Sequence, residues 1–496
     1  MKSAILLLIF CLASCITINN SHTFEWPKNE ITPIFKEFVE AYNTNDLQKL
    51  QEFTTKHYEK DFVKNAAYWP SVFADFGEIV PFKLFTDWGT ENRMSIWFQG
   101  KETKSWVMIM LRMNADNTKI IGKSIMRGVR PSGKLPPYSP ITSKDMKPYL
   151  KKYLNKLHKL NYFSGSVLVA KGNTILFEET YGESNKKGNT KNNATTSFNI
   201  ASTTKTFTAV AIAKLAEQGK LKFTDLISKF IPEYPKDIAN QVTIHHLLTH
   251  TSGIELDDYK PFNTEVKRAK NMEGLLKAQI THIDSMNEGR RSNFKVLNKH
   301  DYSNENFALL AVIIERVSGM SYAEYIEQNI FNPLNMQHSF ADIDKLANYQ
   351  NKAIGYTYKN DEYEFVGGTR RESNKKDAFF IKPYGGIYST ARDLYTYFKG
   401  INNHTFISKE TQELLHKKHI KIFDSKDEGR HYGYGFSESR QGSALTIGHS
   451  GTYQGVGSRF EYYPKEDYYV IVLSNYGSMA GSAVANHIKD LIAPNN

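Results

Sequence analysis

From Ile31 to Thr55 the apolar residues recur at helical spacing. In "ITPIFKEFVEAYNTNDLQKLQEFTT", Ile34, Phe35, Phe38, Val39 and Tyr42 share one side of a helix. The polar break "NTND" ends it, and Asn45 or Asp46 is placed to cap a second helix. After Trp69 the pattern changes to strands. "IVPFKLFTDW", "RMSIWFQG", "KSWVMIMLRM" and "KIIGKSIMRG" are rich in β-branched and aromatic residues, with turn formers between them. "RPSGKLPPYSPITS", Arg130 to Ser143, then interrupts all periodicity with four prolines and a glycine, the composition of a stiff and exposed connector.

Beyond the connector the pattern resumes. "GSVLVAKGNTILFEETYG" predicts two strands around a turn at Lys171-Gly172-Asn173, and "RFEYYPKEDYYVIVLSNY" predicts two more near the C-terminus. "AGSAVANHIKDLI" then predicts a helix. The stretch between these ends reads as mostly helical, and "NENFALLAVIIERVSG" is its plainest buried helix, stopped at Gly319. Strands at both ends with helices between require a sheet assembled from distant parts of the chain, with a helical subdomain packed on one side. The predicted organisation is a first domain over 24–130, a connector over 131–143 and a second domain over 144–496.

Composition narrows the class. At 496 residues the chain is too long for one typical core, which agrees with two domains. A hydrophobic content of 40% with 13% aromatics excludes disorder over most of the length. The net charge of +11 comes from 63 basic and 52 acidic residues that are spread out. With no long Lys/Arg tract and no zinc or helix-turn-helix spacing, nucleic acid is not an expected partner. A mildly basic protein suits an anionic membrane or cell wall. The N-terminal "MKSAILLLIFCLASC" has one lysine and then an apolar run from Ala4 to Leu12. That run is too short for the ~20 residues of a membrane span and reads as a secretory signal. Both cysteines, Cys11 and Cys15, lie here, so the folded part uses no disulfide.

Chemistry enters at "FNIASTTKTFTAVAIAKLAEQG", Phe198 to Gly219, where Ser202 stands three residues before Lys205 as an apolar helix begins. One turn apart, about 4.5 Å of rise, the two share a face. Free N–H groups at a helix start favour an anion on Ser202, and a lysine taken out of water loses pKa and can act as a base. Taken alone, the pair reads better as a capping serine with a lysine reaching for solvent. Two further clusters change that: "HDYSNENF" supplies Tyr302-Ser303-Asn304, and "TIGHSGTYQGVG" supplies His449-Ser450-Gly451 just before a strand. His245, His246 and His250 invite a metal reading, with residues 246 and 250 four apart on a predicted helix. No nearby acid completes a zinc-binding set, and neither a metal nor a cofactor is expected. Arg392 and Asp393 in "STARDL" read as an ion pair at a helix start.

Serine–lysine, then Tyr-x-Asn, then a basic-x-Gly strand is the order of the serine β-lactamase and penicillin-binding-protein superfamily. Over about residues 145 to 493 the chain resembles its class C β-lactamase-like branch. "GKLKFTDLISKFIPEYP", "VTIHHLLTHTSGI" (Val242 to Ile254) and "YGGIYSTARDL" (Tyr384 to Leu394) agree with it. The resemblance implies an α/β (α+β) fold, an antiparallel sheet flanked by helices with a helical subdomain. It implies Ser202 as the acylated nucleophile and Lys205 as its partner. Tyr302 would activate Ser202 and later the attacking water, and Asn304 would orient Lys205 and bond an amide of the substrate. The backbone N–H groups of Ser202 and Thr452 would form the oxyanion hole, with Gly451 letting substrate approach the strand. Residue 449 departs from the pattern. Relatives usually place lysine there to hold a substrate carboxylate, and the neutral imidazole of His449 attracts one less well. That puts β-lactam hydrolysis in doubt and leaves acyl transfer intact.

The first domain, two helices and then a curved antiparallel sheet, resembles the NTF2-like cone, which implies docking of a partner or holding of a ligand. Leu12-Ala13-Ser14-Cys15 resembles a bacterial lipobox. That implies a signal segment over 1–15, cleavage before Cys15 and acylation of its thiol; an ordinary cleaved signal is the alternative. The expectation is therefore an exported serine hydrolase, anchored in the bacterial cell envelope through Cys15. It would act on an amide or ester in a small-molecule or peptide substrate. A peptidase for D-amino-acid peptides or an esterase comes first, and a β-lactamase second. A protein that binds penicillins or cell-wall peptides without turnover is the alternative of another class.

Overall fold

The computed structural model describes residues 24–59, 69–85, 92–127, 141–254, 269–285, 294–359, 362–365, 381–424, 428–477 and 479–493. The apolar N-terminal run with Cys11 and Cys15, and the connector up to residue 140, lie outside these residues.

In the first domain, helix α1 (Ile31–Asn43) buries Ile31, Phe35, Phe38, Val39 and Tyr42. Asn45 turns the chain with a φ of +52°. Asp46 then caps helix α2 (Leu47–His57) by accepting from the N–H groups of Gln48 and Lys49. A third helix, α3 (Trp69–Phe76), which the sequence pattern does not assign, precedes the first predicted strand. Its Trp69, Val72 and Phe76 are buried, and Trp69 packs on Phe38 with ring centroids 4.6 Å apart. Trp69, Val72, Phe73 and Phe76 stand at i, i+3, i+4 and i+7, the spacing of one helix face. Strands β1 (Ile79–Phe85), β2 (Arg93–Gly100), β3 (Trp106–Met113) and β4 (Ile120–Arg127) follow as an antiparallel sheet in sequence order. The three helices share one core with Ile96, Phe98, Val107 and Ile109 of this sheet.

Helix α4 (Ser143–Lys159) opens the second domain, capped by Thr142, and buries Met146, Leu150, Leu154 and Leu157. Each such side chain contributes about 1.5–3 kcal/mol. The main sheet is built from both ends of the domain. Strands β5 (Gly165–Lys171) and β6 (Thr174–Tyr181) precede the helical region. Strands β7 (Ile420–Asp424), β8 (Glu428–Tyr432), β9 (Ser437–Gln441), β10 (Ala444–Tyr453), β11 (Val456–Tyr463) and β12 (Tyr468–Ser474) follow it. Their order in space is β7-β8-β9-β10-β11-β12-β5-β6, antiparallel throughout. Strand alternation sorts the apolar residues onto two faces. Leu168, Ala170, Phe460, Ile471 and Leu473 enter the larger core. Val167, Val169, Val470 and Val472 face the other way, against α4.

The larger core is covered by α5 (Thr204–Glu217), α6 (Ile244–Leu248), α7 (Met272–Ser285), α8 (Asn304–Ser318) and α9 (Ala391–Asn402). Helix α5 is buried on nearly every side, and α8 packs against it. Helix α10 (Ala480–Ile492) joins α4 on the opposite face. The first domain docks on that side too. The Tyr153 hydroxyl of α4 donates to the Thr103 carbonyl at 2.8 Å, and Lys156 pairs with Glu102 at 2.6 Å. Among the described residues no helix is long and apolar enough to cross a membrane.

Candidate active site

The residues that precede α5 form a tight and strained turn. Ala201–Thr203 makes one turn of 3-10 helix, entered through Ala201 with a φ of +45°, a region that a residue bearing a Cβ visits sparsely. Its surroundings hold it there. Asn199 Oδ1 accepts from the Ala201 N–H at 2.7 Å, and Ser458 Oγ donates to the Ile200 carbonyl at 2.7 Å. The Ile200 N–H donates to Ile387 O at 3.0 Å, and Thr203 Oγ1 lies 2.9 Å from Ser458 Oγ. Ser202 thus sits on a braced turn between α5 and the sheet.

Lys205 is fully buried. Its Nζ reaches Ser202 Oγ at 3.2 Å, Asn304 Oδ1 at 2.8 Å and the Tyr384 carbonyl at 2.9 Å. The ring centroid of Tyr302 lies 4.7 Å from the same nitrogen, and those of Phe307 and Tyr384 lie 5.7 Å away. An ammonium has three protons, and all three are used here. A neutral amine keeps two. The Asn304 and Tyr384 oxygens can only accept, so those two protons stay with them, and the remaining lone pair faces Ser202. A hydroxyl can donate as well as accept. Loss of one proton from Lys205 therefore turns Ser202 into a donor toward it, the arrangement a base needs to activate a nucleophile.

Asn304 is the first residue of α8, and Ser303 takes the N-cap position. The Ser303 hydroxyl donates to Glu305 at 2.8 Å, which leaves the Asn304 side chain to Lys205. Tyr302 is 41% exposed, and its ring lies 4.3 Å from that of buried His250. His250 has a φ of +56° and lies just past the end of α6, so it does not share a helix with His246. His246 closes a capping box with Thr243. Among the described residues no group of His, Cys, Asp and Glu is arranged to hold a metal. The N–H of Ser303 donates to His250 Nδ1 at 3.1 Å. Burial, and then the Lys205 charge, push the His250 pKa well below its usual value, so the ring is neutral.

Strand β10 supplies the third motif. A Cβ at Gly451 would stand 2.3 Å from the Ile200 carbonyl oxygen and 2.8 Å from the Ser202 nitrogen. Only glycine lets the strand lie this close to the nucleophile's turn. Thr452, the next residue, is exposed at the strand end and paired with Gly457. His449 is buried, and both ring nitrogens are engaged. Nδ1 lies 2.7 Å from the Ser450 carbonyl, which can only accept, so Nδ1 carries the proton. Nε2 then accepts from the Tyr432 hydroxyl at 3.0 Å. Burial and the nearby Lys205 charge bring the His449 pKa down to about 3. The expected neutral imidazole is therefore what the surroundings enforce. Its polar atoms are committed to Tyr432 and Ser450.

The match to known proteins covers this region. The Beta-lactamase family model matches residues 151–493, two thirds of the chain. The chain belongs to the Beta-lactamase family. It is 30% identical over 339 residues to "Penicillin-binding protein 4*" of Bacillus subtilis (strain 168), which spans 66% of this chain and 71% of that one. The structure of a penicillin-binding protein from Bacillus halodurans is 28% identical and covers 68% of this chain and 99% of its own, with a TM-score of 0.57. At 18% identity, D-amino acid amidase from Ochrobactrum anthropi SV3 shares the fold, covering 68% of this chain and 95% of its own with a TM-score of 0.54. The chain is a serine hydrolase of this family. The family match begins at residue 151, so the likeness of the first domain to an NTF2-like cone rests on its sequence pattern alone.

Within the Beta-lactamase domain the structure brings together Ser202, Lys205, Tyr302, Asn304 and Gly451, and sets His449 behind them. Cys15 lies outside the described residues. Arg392 and Asp393 do not pair with each other. Arg392 bonds Glu178 through Nε at 3.1 Å, while Asp393 accepts from the His338 N–H at 3.0 Å and from Ser339 Oγ at 2.8 Å. The Tyr384 carbonyl and the brace from Asn199 and Ser458 were absent from the sequence reading. "YGGIYSTARDL" marked the first as family-like without giving it a role, and nothing in the sequence signals the second.

Proposed function

We propose that this chain hydrolyses an amide or ester through an acyl-enzyme on Ser202. The observation that carries the proposal is the set of partners around Lys205. Two obligate acceptors hold the amine so that its lone pair, once free, faces the Ser202 hydroxyl. Tyr302, whose ring lies beside the amine, would share in activating Ser202 and later the attacking water. The N–H groups of Ser202 and Thr452 would hold the oxyanion, with Gly451 keeping the strand close. A neutral, engaged His449 favours uncharged esters, amides and D-amino-acid peptides over substrates with a carboxylate beside the scissile bond. The apolar N-terminal run and Cys15 support export and a lipid anchor in the cell envelope, with the first domain as a docking module.

β-Lactam acylation is the second reading, supported by the 30% identity to a protein named for binding penicillin. The test is intact-mass spectrometry after a fluorophosphonate and, separately, a penicillin, beside rates on p-nitrophenyl esters, D-amino-acid amides and nitrocefin. The expected result is a fluorophosphonate adduct on Ser202 and ester or amide turnover that falls ~10³-fold or more in Ser202→Ala. A stable penicillin adduct without turnover of any substrate would make the protein a binder. Activity within tenfold of the parent in Ser202→Ala would place the nucleophile elsewhere.

A further inference from the structure

Behind β10, on the face of the sheet away from Ser202, lies a cavity of about 200 Å³. Strand register brings Arg430 opposite Ser439, Ser439 opposite Thr446, and Ser450 opposite Arg459, so side chains of four strands line one face of it. Asn486 and Lys489 of α10 complete the lining. Two guanidiniums therefore share one small space. Arg459 is answered by Glu461 at 2.9 Å and by Asn486 Oδ1 at 3.2 Å. Arg430 has no carboxylate partner among the described residues, and its bond to Ser437 Oγ is long, at 3.4 Å. The Nε atoms of both arginines are buried without a hydrogen-bond partner among the described residues. Of the other charged groups on the lining, Arg440 pairs with Asp424 at 2.9 Å, and Glu428 and Lys489 both bond Gln441.

Glu461 acts on Arg430 through space, but its carboxylate is bonded to Arg459 and to the Tyr463 hydroxyl. A mostly buried guanidinium with no bonded carboxylate, beside a second one, is costly unless something anionic completes it. Planar, forked donors of this kind match carboxylate and phosphate oxygens. We propose that this cavity binds a small oxyanion, a carboxylate or a phosphate group, between Arg430 and Arg459. The hydroxyls of Ser439 and Ser450 supply further donors at its wall. The occupant would sit against β10 at Ser450, the residue before Gly451, and so brace the strand that adjoins the nucleophile from the side opposite the substrate.

The test is thermal unfolding of the full chain with inorganic phosphate or acetate added up to about 10 mM at constant ionic strength, where general salting effects are small. Sodium chloride is the control. The expected result is a saturable rise of about 2–4 °C with at least one oxyanion and none with chloride. The anion that gives the larger rise names the chemistry of the ligand. Arg430→Gln is expected to lose the response. Ser439→Asp, which places a carboxylate opposite Arg430, is expected to melt higher than the parent without added anion and to respond to none. No rise in the parent, or a response retained in either variant, would overturn the site. Because Arg430 and Ser439 lie outside the catalytic residues, Ser202→Ala is expected to keep the full response, which separates this site from the active site.

Discussion

Lys205 donates to two oxygens that cannot donate back, and this fixes which neighbour receives its lone pair. The same logic applies to His449, where the Ser450 carbonyl fixes the tautomer and Tyr432 fills the other nitrogen. Replacing it by lysine would bury an ammonium beside Lys205 with no carboxylate to meet it. His449→Lys is expected to lose about 3–5 kcal/mol of stability, the cost of an unpaired buried charge. It is also expected to gain nothing on nitrocefin relative to a neutral ester. Urea unfolding and the ratio of kcat/KM values check both; an unchanged urea midpoint would mean that residue 449 reaches solvent. Ser202, Lys205, Tyr302 and Asn304 were legible in the sequence because their side chains carry the chemistry and their order is distinctive. Ala201 and Tyr384 were not. A backbone torsion leaves no mark on an alanine, and a carbonyl oxygen is the same in every residue.

At the level of elements, the site is the meeting of the turn before α5, the start of α8 and the end of β10. Their mutual distance depends on Gly451. Gly451→Ala would put a methyl group 2.3 Å from the Ile200 oxygen and 2.8 Å from the Ser202 nitrogen, both backbone atoms that cannot step aside cheaply. A displacement near 1 Å at a reacting centre costs ~10²-fold. The expected outcome is a kcat/KM at least that much lower with an unchanged circular dichroism spectrum, and wild-type activity would show that the strand can retreat. The pattern of elements was read well where burial is one-sided, as in α1, or complete over a long run, as in α8. It passed over Trp69–Phe76, where Trp69, Val72, Phe73 and Phe76 stand at helical spacing in a run of only eight residues. It failed again after α6, where a histidine in left-handed conformation ends a helix that side-chain spacing alone would continue.

For the whole molecule, buried histidines set the acid limit. His416, His449 and His487 are each brought down to about 3, chiefly by burial. In the unfolded chain a histidine titrates near 6.5. Between those values the unfolded state holds protons that the folded state refuses, so stability is complete above pH 6.5 and falls as pH drops toward 3. Each histidine contributes ~1.4 kcal/mol per pH unit to the slope. The melting temperature is expected to fall steadily from pH 7.5 to pH 5, and His487→Phe to soften that fall; a flat profile would contradict neutral burial. The sheet sets a different limit, one of time. Strand β5 pairs along its length with β12, and Ser474 Oγ donates to the Ser164 carbonyl across 310 residues of chain. At ~5–20 residues per second of synthesis, β5 waits on the order of 15–60 s for its neighbour to exist. Until then Val167, Leu168 and Val169 have no partner on that edge. A ribosome that stops early therefore releases neither a smaller enzyme nor a weaker one, but an open sheet fit only for proteolysis.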